Sequence, residues 1–296
     1  MPYSSVLSLF GQAERDAILS SPLLEGLEEI RMRAGREAEL CGRGQKAKAG
    51  FGATQQMILG ILQNAAQKSL YAYEEQLRNG FLTIEGGHRI GFCGRVHRKG
   101  DDIASIDNFS SLNIRIAREI KGAAKRLYPY IDHNGRILSS LVISPPGVGK
   151  TTVLRDLART ISDGGKNVGI IDERCEIACS IDGRATLDVG ERSDVLDNCP
   201  KAAGVALLTR SMSPDVIVTD EVSGKADYGA ILSAVGFGIS VLASAHASSL
   251  EELESKPYLK DILESGLFDR YLFIGRKGKE AIPLAVYDAA LRKASP

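Results

Sequence analysis

The sequence lacks a net charge, paired cysteine motifs and long apolar runs. Its five cysteines form no C-x-x-C pair and are odd in number, so we expect no disulfide framework, and a reducing cytosol fits this usage. No apolar run approaches the roughly 18 residues that a membrane-spanning helix needs, and the amino terminus shows no signal-peptide core. We therefore expect a cytoplasmic protein without a membrane segment of its own, whose role at any membrane would require a partner.

The net charge of zero, from 37 basic and 37 acidic residues, hides a difference between the two halves. Residues 1–139 carry 19 lysines and arginines against 15 acidic residues, and residues 140–296 carry 18 against 22. A basic front part and an acidic rear part favour contact between neighbouring subunits, or between the front part and an anionic partner. The imbalance is too small to be a strong nucleic-acid signal.

A phosphate-binding loop is the most specific motif of the sequence. A short apolar run at residues 141–144 predicts a buried strand, a Gly-rich turn follows, and helical periodicity begins at Lys150. Glycines in such a turn let backbone N–H groups crowd around phosphate oxygens, and the helix N-terminus adds its partial positive charge. The residues predicted to bind the nucleotide are Ser144, Pro145, Pro146, Gly147, Val148, Gly149, Lys150, Thr151 and Thr152.

Lys150 and Thr151 have distinct predicted roles in this loop, for which we expect ATP and Mg²⁺ as ligands. The lysine can reach the β- and γ-phosphates, and the Thr151 hydroxyl can ligate the metal ion. Compared with the G-x-x-x-x-G-K-[ST] pattern, Ser144 replaces the first glycine, whereas Gly147 and Gly149 still allow close approach. An ordinary strand-to-helix turn does not need glycine, lysine and threonine at this spacing, so we interpret the stretch as a nucleotide site.

Strands and helices alternate from residue 138 onward, which indicates an α/β fold with a mostly parallel sheet covered on both faces. Strands are predicted at residues 141–144, 168–172, 216–220 and 240–244, and strands near 271–274 and 284–287 extend an edge. The strand at 168–172 indicates a hydrolytic ATPase branch with an additional strand between the nucleotide-binding and metal-binding strands. We place this P-loop ATPase domain at residues 137–296.

Residues 1–136 are predicted to form a smaller α+β domain in front of the ATPase core. Its predicted elements are a strand at 30–33, a loop or hairpin at 42–52, helices at 54–65 and about 70–79, a β-hairpin at 81–96, a strand at 112–117 and a helix at 121–131. The helix at 54–65 has its apolar residues on one face, and the hairpin has a Gly-rich turn between two short strands. These elements fit a separate small domain.

Carboxylates follow two of the predicted core strands. Asp220 is in position to hold the Mg²⁺ shell through water, opposite Thr151, and Glu221 could orient and deprotonate the attacking water. Asp172 or Glu173, after the other strand, could face the γ-phosphate and compete with Glu221 as the base. The alternative for the first pair is a strand that ends in a solvated acidic turn, which the upstream phosphate loop disfavours. The alternative for the second pair is a capping turn with exposed acids.

His246 ends another predicted strand, where it can sense the γ-phosphate, although a lone histidine is more often structural. Positive charge at the transition state would come from an arginine finger. Arg192 and Arg210 are candidates within the core, and Arg115 and Arg118 are candidates from a neighbouring subunit or from the linker. Each of the four taken alone is more often a surface arginine, and we expect at least one to be catalytic.

These motifs together resemble the secretion-ATPase branch of the RecA-like P-loop ATPases, the motors of type II and type IV secretion and pilus machines. The likeness is carried by the acidic box at residues 171–176, by Arg210 with Pro214 and Asp215, and by the histidine box around His246. Most of the chain also resembles the stage III sporulation protein AA family of spore-forming bacteria. The segments that carry this resemblance are residues 29–33, 70–75, 86–91, 110–119, 144–152, 172–174 and 210–215.

The resemblance implies a RecA-like fold and a cytoplasmic ATPase, assembled as a homo-hexamer, that powers or gates a transenvelope channel during endospore formation. It also implies peripheral membrane association through channel proteins of the sporulation machinery. Secretion motors usually carry Gly-Glu where this sequence has Asp220 and Glu221, and their front region is longer. Two alternatives stay open: a nucleic-acid-stimulated RecA-like ATPase, and a nucleotide-dependent scaffold in which binding rather than turnover assembles the channel.

Overall fold

The computed structural model describes residues 3–66, 80–100, 102–117, 119–181 and 183–296. Contacts within the chain divide it into two compact units, Met1–Arg118 and Glu119–Pro296. Each unit has its own buried hydrophobic core. The predicted helix at 70–79 lies outside the described residues.

The first unit contains an antiparallel sheet and short helices. Its strands are β1 (Leu27–Arg33), β2 (Arg36–Gly42), β3 (Gln45–Ala53), β4 (Phe81–Ile84), β5 (His88–Lys99) and β6 (Asp102–Arg115). Its helices are α1 (Ser4–Leu7), α2 (Gln12–Leu19) and α3 (Gln55–Ala65). The strands pair in the order β3-β2-β1-β6-β5-β4. The hairpin predicted at 81–96 is confirmed by β4 and β5, and residues 42–52, predicted as a loop or hairpin, contain the β2–β3 turn and most of β3.

Alternation of apolar and charged residues decides which face of this sheet is buried. Ile30 and Met32 of β1 are fully buried, whereas Arg33 is exposed, as the two-residue period of a strand requires. Helix α3 begins after Thr54, whose Oγ1 accepts a hydrogen bond from the Met57 backbone N–H at 3.1 Å. The residues of α3 that enter the core are Ile58, Ile61, Leu62 and Ala65.

The second unit alternates strands with helices. Its strands are β7 (Asp132–His133), β8 (Arg136–Ile137), β9 (Ser140–Ile143), β10 (Val168–Asp172), β11 (Ser193–Asp197), β12 (Val216–Glu221), β13 (Ser240–Ala245), β14 (Arg270–Lys277) and β15 (Glu280–Asp288). Its helices are α4 (Tyr128–Ile131), α5 (Lys150–Asp163), α6 (Lys201–Ser211), α7 (Lys225–Gly236), α8 (Leu250–Ser255) and α9 (Pro257–Glu264). Across both units, no helix within the described ranges is long and apolar enough to cross a membrane.

The main sheet has the strand order β11-β10-β12-β13-β9-β14-β15. All neighbouring strands are parallel except β14 and β15. A strand does lie between the phosphate-loop strand β9 and the carboxylate strand β12, as expected. That strand is β13, whereas the strand from which we inferred it, β10, lies on the far side of β12, because order along the chain does not fix order in a sheet.

Both faces of this sheet are covered, as a parallel sheet requires. Leu141 and Ile143 of β9 point into one core cluster, whereas Val142 between them belongs to the other. In β13, Val241 likewise enters the first cluster and Leu242 the second. Helices therefore cover both faces, and the loops that follow the parallel strands meet at the carboxyl edge of the sheet.

The segment 119–136 belongs to the second unit, whereas we placed the domain boundary between residues 136 and 137. Its helical conformation is confined to Tyr128–Ile131, and the residues before it form turns, so the helix predicted from residue 121 is wrong in its first part. The buried Asp156 carboxylate of α5 accepts hydrogen bonds from the backbone N–H groups of Gly122 and Ala124, both at 2.9 Å. These tertiary bonds hold the segment as turns against α5.

Gly204 lets helix α6 lie close to strand β10. A Cβ at this position would lie 2.8 to 3.0 Å from three side-chain carbons of Ile171. We predict that Gly204→Ala lowers the free energy of unfolding by about 1–3 kcal/mol, because overpacking outweighs the better helix propensity of alanine.

Gly229 in the middle of α7 is the matched control, since a Cβ there would meet no described atom within 4 Å. Gly229→Ala should raise the free energy of unfolding by up to about 1 kcal/mol. Urea unfolding of the two variants and the wild type measures both effects. Equal stability of the Gly204→Ala and Gly229→Ala proteins would contradict the proposed close packing of α6 on β10.

Candidate functional site

The strand, turn and helix predicted around the phosphate loop are present as β9, the loop and α5. Gly147 and Gly149 have φ angles of 81° and 108°, a left-handed conformation that glycine adopts without steric cost. Gly149 is the N-cap residue of α5, so the helix begins at Lys150. The first backbone N–H groups of a helix have no partners within it, and they can therefore donate to an anion held in the loop.

Lys150 is 7% exposed, although it carries a charge. Its Nζ donates hydrogen bonds to the carbonyl oxygen of Ser144 at 3.1 Å and to Nδ1 of His246 at 2.7 Å. Burial lowers the pKa of the Lys150 ammonium to about 8, and the Glu221 carboxylate opposes this shift. The acceptors of the ammonium are thus neutral groups, weaker than a phosphate oxygen would be.

His246 connects the lysine of the loop to a carboxylate. An ammonium can only donate hydrogen bonds, so Nδ1 of His246 accepts from Lys150, and the ring proton is assigned to Nε2. Nε2 lies 3.2 Å from Oε2 of Glu221, which can accept that proton's hydrogen bond. Lys150 follows β9, His246 follows β13 and Glu221 ends β12, so this hydrogen-bonded chain crosses three neighbouring strands.

Glu221 and His246 also contact cationic side chains that we did not predict. Nη1 of Arg174 lies 3.8 Å from Oε2 of Glu221, and the exposure of this arginine makes the pair weak. Nζ of Lys256 donates to the carbonyl oxygen of His246 at 2.5 Å and lies 3.2 Å from Oε1 of Glu252. The charge of Lys256 helps to lower the pKa of Lys150, so it adds to the positive potential at the loop.

Asp220 lies in a buried acidic cluster around Lys201, another residue that the sequence reasoning missed. Nζ of Lys201 lies 2.7 Å from Oδ1 of Asp220, 2.5 Å from Oε2 of Glu173 and 3.9 Å from Oδ2 of Asp227. Burial alone would lower the pKa of the Lys201 ammonium, but its close contacts with the carboxylates of Asp220 and Glu173 raise that pKa above its ordinary value. Burial raises the pKa of the Asp220 carboxyl, against the opposing effect of Lys201.

Asp172 holds a loop rather than facing the phosphate site as a free base. Its Oδ1 accepts from the backbone N–H groups of Glu176 at 2.8 Å and Ile177 at 3.0 Å, and its Oδ2 accepts from Ala178 at 2.8 Å. Arg155 of α5 donates to the carbonyl oxygens of the same loop. Both carboxylate oxygens are therefore engaged, which favours the capping alternative for Asp172.

The two candidate arginine fingers of the second unit, Arg192 and Arg210, lie away from its phosphate loop. The carbonyl oxygen of Arg192 accepts from the Val168 N–H at 2.9 Å, which places Arg192 at the amino edge of the sheet, where β10 begins. Arg210 lies in the last turn of α6, and its Nε donates to a carbonyl oxygen of its own helix. Arg115 pairs with a carboxylate of β1 at 3.4 Å, and Arg118 lies outside the described residues. A finger from another subunit stays a prediction.

Asp220 has the acceptor capacity that the predicted Mg²⁺ site requires, whereas the role of Thr151 in that site stays a prediction. Both carboxylate oxygens of Asp220 are buried and have no directed hydrogen bond among the described residues, so the Lys201 contact is an ion pair that leaves acceptor capacity free. No cluster of three or more histidine, cysteine or acidic side chains suited to a metal occurs in the described part of the chain. Mg²⁺ usually takes one or two protein oxygens together with waters and substrate phosphates, so the acceptor oxygens of Asp220 suit this ion.

Two solved ATPase structures have a similar fold. The Legionella pneumophila ATPase DotB has a TM-score of 0.57 and 14% identity, over 89% of this chain and 77% of that chain. The pilus retraction motor PilT with bound ADP has a TM-score of 0.58 and 14% identity, over 88% and 78%. At this identity the likeness shows the fold alone, and it confirms the predicted α/β core with a mostly parallel sheet.

Comparisons of sequence identify the family more specifically than these fold similarities do. The family described as "Sporulation stage III, protein AA" matches residues 9–293. Stage III sporulation protein AA of Bacillus subtilis (strain 168) is 42% identical over 267 residues, which cover 88% of this chain and 87% of that protein. Because the family match extends over nearly the whole chain, the protein belongs to the sporulation stage III protein AA family.

Proposed function

We propose that the protein is an ATPase whose hydrolysis of ATP drives or gates a membrane channel complex during endospore formation. The observation that carries this proposal is the hydrogen-bonded chain from Lys150 through His246 to Glu221. It joins the lysine of the phosphate loop to a carboxylate that can act as a base. The family name supports the sporulation context, and the words ATPase and motor in the names of the two similar structures support hydrolysis.

Binding of ATP would change the partners of Lys150. Phosphate oxygens are charged acceptors and bind an ammonium more strongly than a neutral imidazole nitrogen does. Lys150 would therefore exchange Nδ1 of His246 for the β- and γ-phosphates. This exchange would free the ring of His246 and, through Nε2, change the hydrogen bond that Glu221 accepts. The same lysine would thus bind the nucleotide and release the base.

Hydrolysis would then use Glu221 as the base. Its carboxylate would orient a water molecule and accept its proton as the water oxygen bonds to the γ-phosphorus. The bond from that phosphorus to the β–γ bridging oxygen breaks, which yields ADP and phosphate. Mg²⁺, held by Thr151 and through water by Asp220, would neutralise charge on the phosphates.

Assembly into a homo-hexamer is part of the proposal. Arg192 and Arg210 lie away from the phosphate loop of their own chain, at the amino edge of the sheet. We propose that a neighbouring subunit presents an arginine to the transition state, which is a known way to complete such a site. We further propose that the ring is cytoplasmic and attaches to the membrane through channel proteins of the sporulation machinery.

Removal of the loop lysine tests nucleotide chemistry directly. We predict that Lys150→Ala lowers the ATP turnover number about 100- to 1,000-fold, because one charged donor to the developing phosphate charge is lost. The thermal midpoint should stay equal or rise, since the variant no longer buries an ammonium. Lys225→Ala is the matched control, because Lys225 also begins a helix but is exposed. Wild-type turnover by Lys150→Ala would remove the ATPase proposal.

Replacement of the candidate base separates a motor from a nucleotide-dependent scaffold. Glu221→Gln should lower turnover by about 100-fold or more, whereas ATP affinity should be retained, because the amide oxygen still accepts from Nε2 of His246. Glu254→Gln, at an exposed position, controls for the loss of a carboxylate. If Glu221→Gln supports sporulation as the wild type does, turnover is not required and the scaffold interpretation replaces the motor.

Nucleotide affinity should depend on pH through Lys150. The free protein loses the Lys150 proton as the pH rises through about 8. In the complex the negative charge of the phosphate would raise the pKa of Lys150, so the ammonium would keep its proton to higher pH. The complex then binds more protons than the free protein, so affinity is constant below pH 8 and falls above it, by up to about tenfold per pH unit. Calorimetric titration with ADP between pH 7.5 and 9.5 measures this change.

Lys150→Arg is the control for the pH dependence. Arginine keeps its charge over this range, so the affinity of the variant should change little between pH 7.5 and 9.5. A wild-type affinity that is equally flat would show that the lysine keeps its proton in the free protein, contrary to the expected effect of its burial.

A further inference from the structure

Lys201 is a buried cation next to the proposed metal site that the mechanism above does not use. It is the first residue of α6, and its side chain is 3% exposed. Its ammonium contacts carboxylates from three elements: Glu173 after β10, Asp220 in β12 and Asp227 in α7. All three elements meet at the carboxyl edge of the sheet, where Glu221 ends β12.

Stability alone is a weak reason for this arrangement. An ammonium at the first position of a helix opposes the helix dipole, and its burial has a large desolvation cost that ion pairs often only balance. A methionine of similar length would avoid both costs. The lysine is therefore better explained by what it does to the carboxylates around it than by a gain in folding energy.

The contacts of Asp220 indicate what Lys201 does. Its Oδ1 lies 2.7 Å from Nζ of Lys201, whereas Oδ2 is buried and has no hydrogen-bond partner among the described residues. One oxygen is thus fixed by a cation, and the other keeps its full capacity to accept. Asp227, at the other side of the ammonium, is fixed in turn by Ser223, whose N–H and Oγ donate to Oδ2 at 2.8 and 3.0 Å.

We propose that Lys201 is a positioning residue that holds Asp220 by Oδ1, so that Oδ2 stays available to the water shell of Mg²⁺. This inference rests on the proposed ATPase function and deepens it. Lys201 acts through Asp220 and does not itself touch nucleotide. The ammonium of Lys201 also pairs with Glu173 of the acidic box and contacts Asp227 in the first turn of α7. It therefore holds these two carboxylates close to Asp220.

The test compares the Mg²⁺ response of Lys201→Met with that of the wild type. A fluorescent, non-hydrolysable ATP analogue is titrated in EDTA and then at increasing Mg²⁺ concentration, and ATP turnover is followed over the same range. We expect unchanged analogue affinity in EDTA. The Mg²⁺ concentration for half-maximal binding and turnover should rise about 10- to 100-fold, as it does when partners of metal ligands are removed elsewhere.

Lys225→Met is the matched control, because it removes a lysine from the first position of α7, at an exposed place on the same edge of the sheet. Its Mg²⁺ response should equal that of the wild type. If Lys201→Met also responds to Mg²⁺ as the wild type does, even with a lower thermal midpoint, then Lys201 is only structural and the inference is overturned.

Lys201→Gln keeps the test decisive if the methionine variant does not fold. Its amide can still donate to Oδ1 of Asp220 but carries no charge, so the half-maximal Mg²⁺ concentration should rise above that of the wild type by less than the about 10- to 100-fold expected for loss of the contact, and no rise would overturn the inference. Absence of Mg²⁺-dependent binding and turnover in the wild type itself would contradict the proposed function. A normal wild-type response with an unchanged variant response would contradict only the role of Lys201.

Discussion

Burial of the Lys150 ammonium is the constraint on which the rest of the site depends. A buried cation needs acceptors close to it, and here they are the Ser144 carbonyl and the ring of His246. Since β9, β13 and β12 are neighbours in the sheet, the ring lies on the adjacent strand and its own partner, Glu221, on the next. Because of this strand order, the hydrogen bond that Lys150 donates also connects the proposed phosphate site to the candidate base.

Two buried lysines at the same edge of the sheet have opposite surroundings. Neutral acceptors surround Lys150, and burial lowers its pKa to about 8. A charged acceptor such as a phosphate oxygen would therefore bind this ammonium more strongly than its present partners do. Carboxylates surround Lys201 and raise its pKa, so it remains a fixed cation within the protein. Lys150 is therefore suited to bind an anionic ligand reversibly, and Lys201 is suited to hold acidic side chains in fixed positions.

Local sequence patterns predicted the elements whose residues interact with near neighbours along the chain. The strand at β9, the glycine turn and the start of α5 at Lys150 follow from short-range steric rules, as does the capping of α3 by Thr54. The segment from residue 121 has a helical pattern but forms turns, because the Asp156 carboxylate binds its backbone N–H groups across more than 30 residues of sequence. No local pattern contains that interaction.

The sequence by itself determined the glycine turn between β9 and α5, the alternating α/β core and the carboxylates that end its strands, because glycine conformation and hydrophobic period are local properties. Tertiary structure alone decided which partners those side chains contact. It engaged Asp172 with three backbone N–H groups, placed Lys201 against Asp220, and put Arg192 and Arg210 away from the loop. These outcomes depend on which strands become neighbours and which groups lose contact with water, and both are settled only when the whole chain is folded.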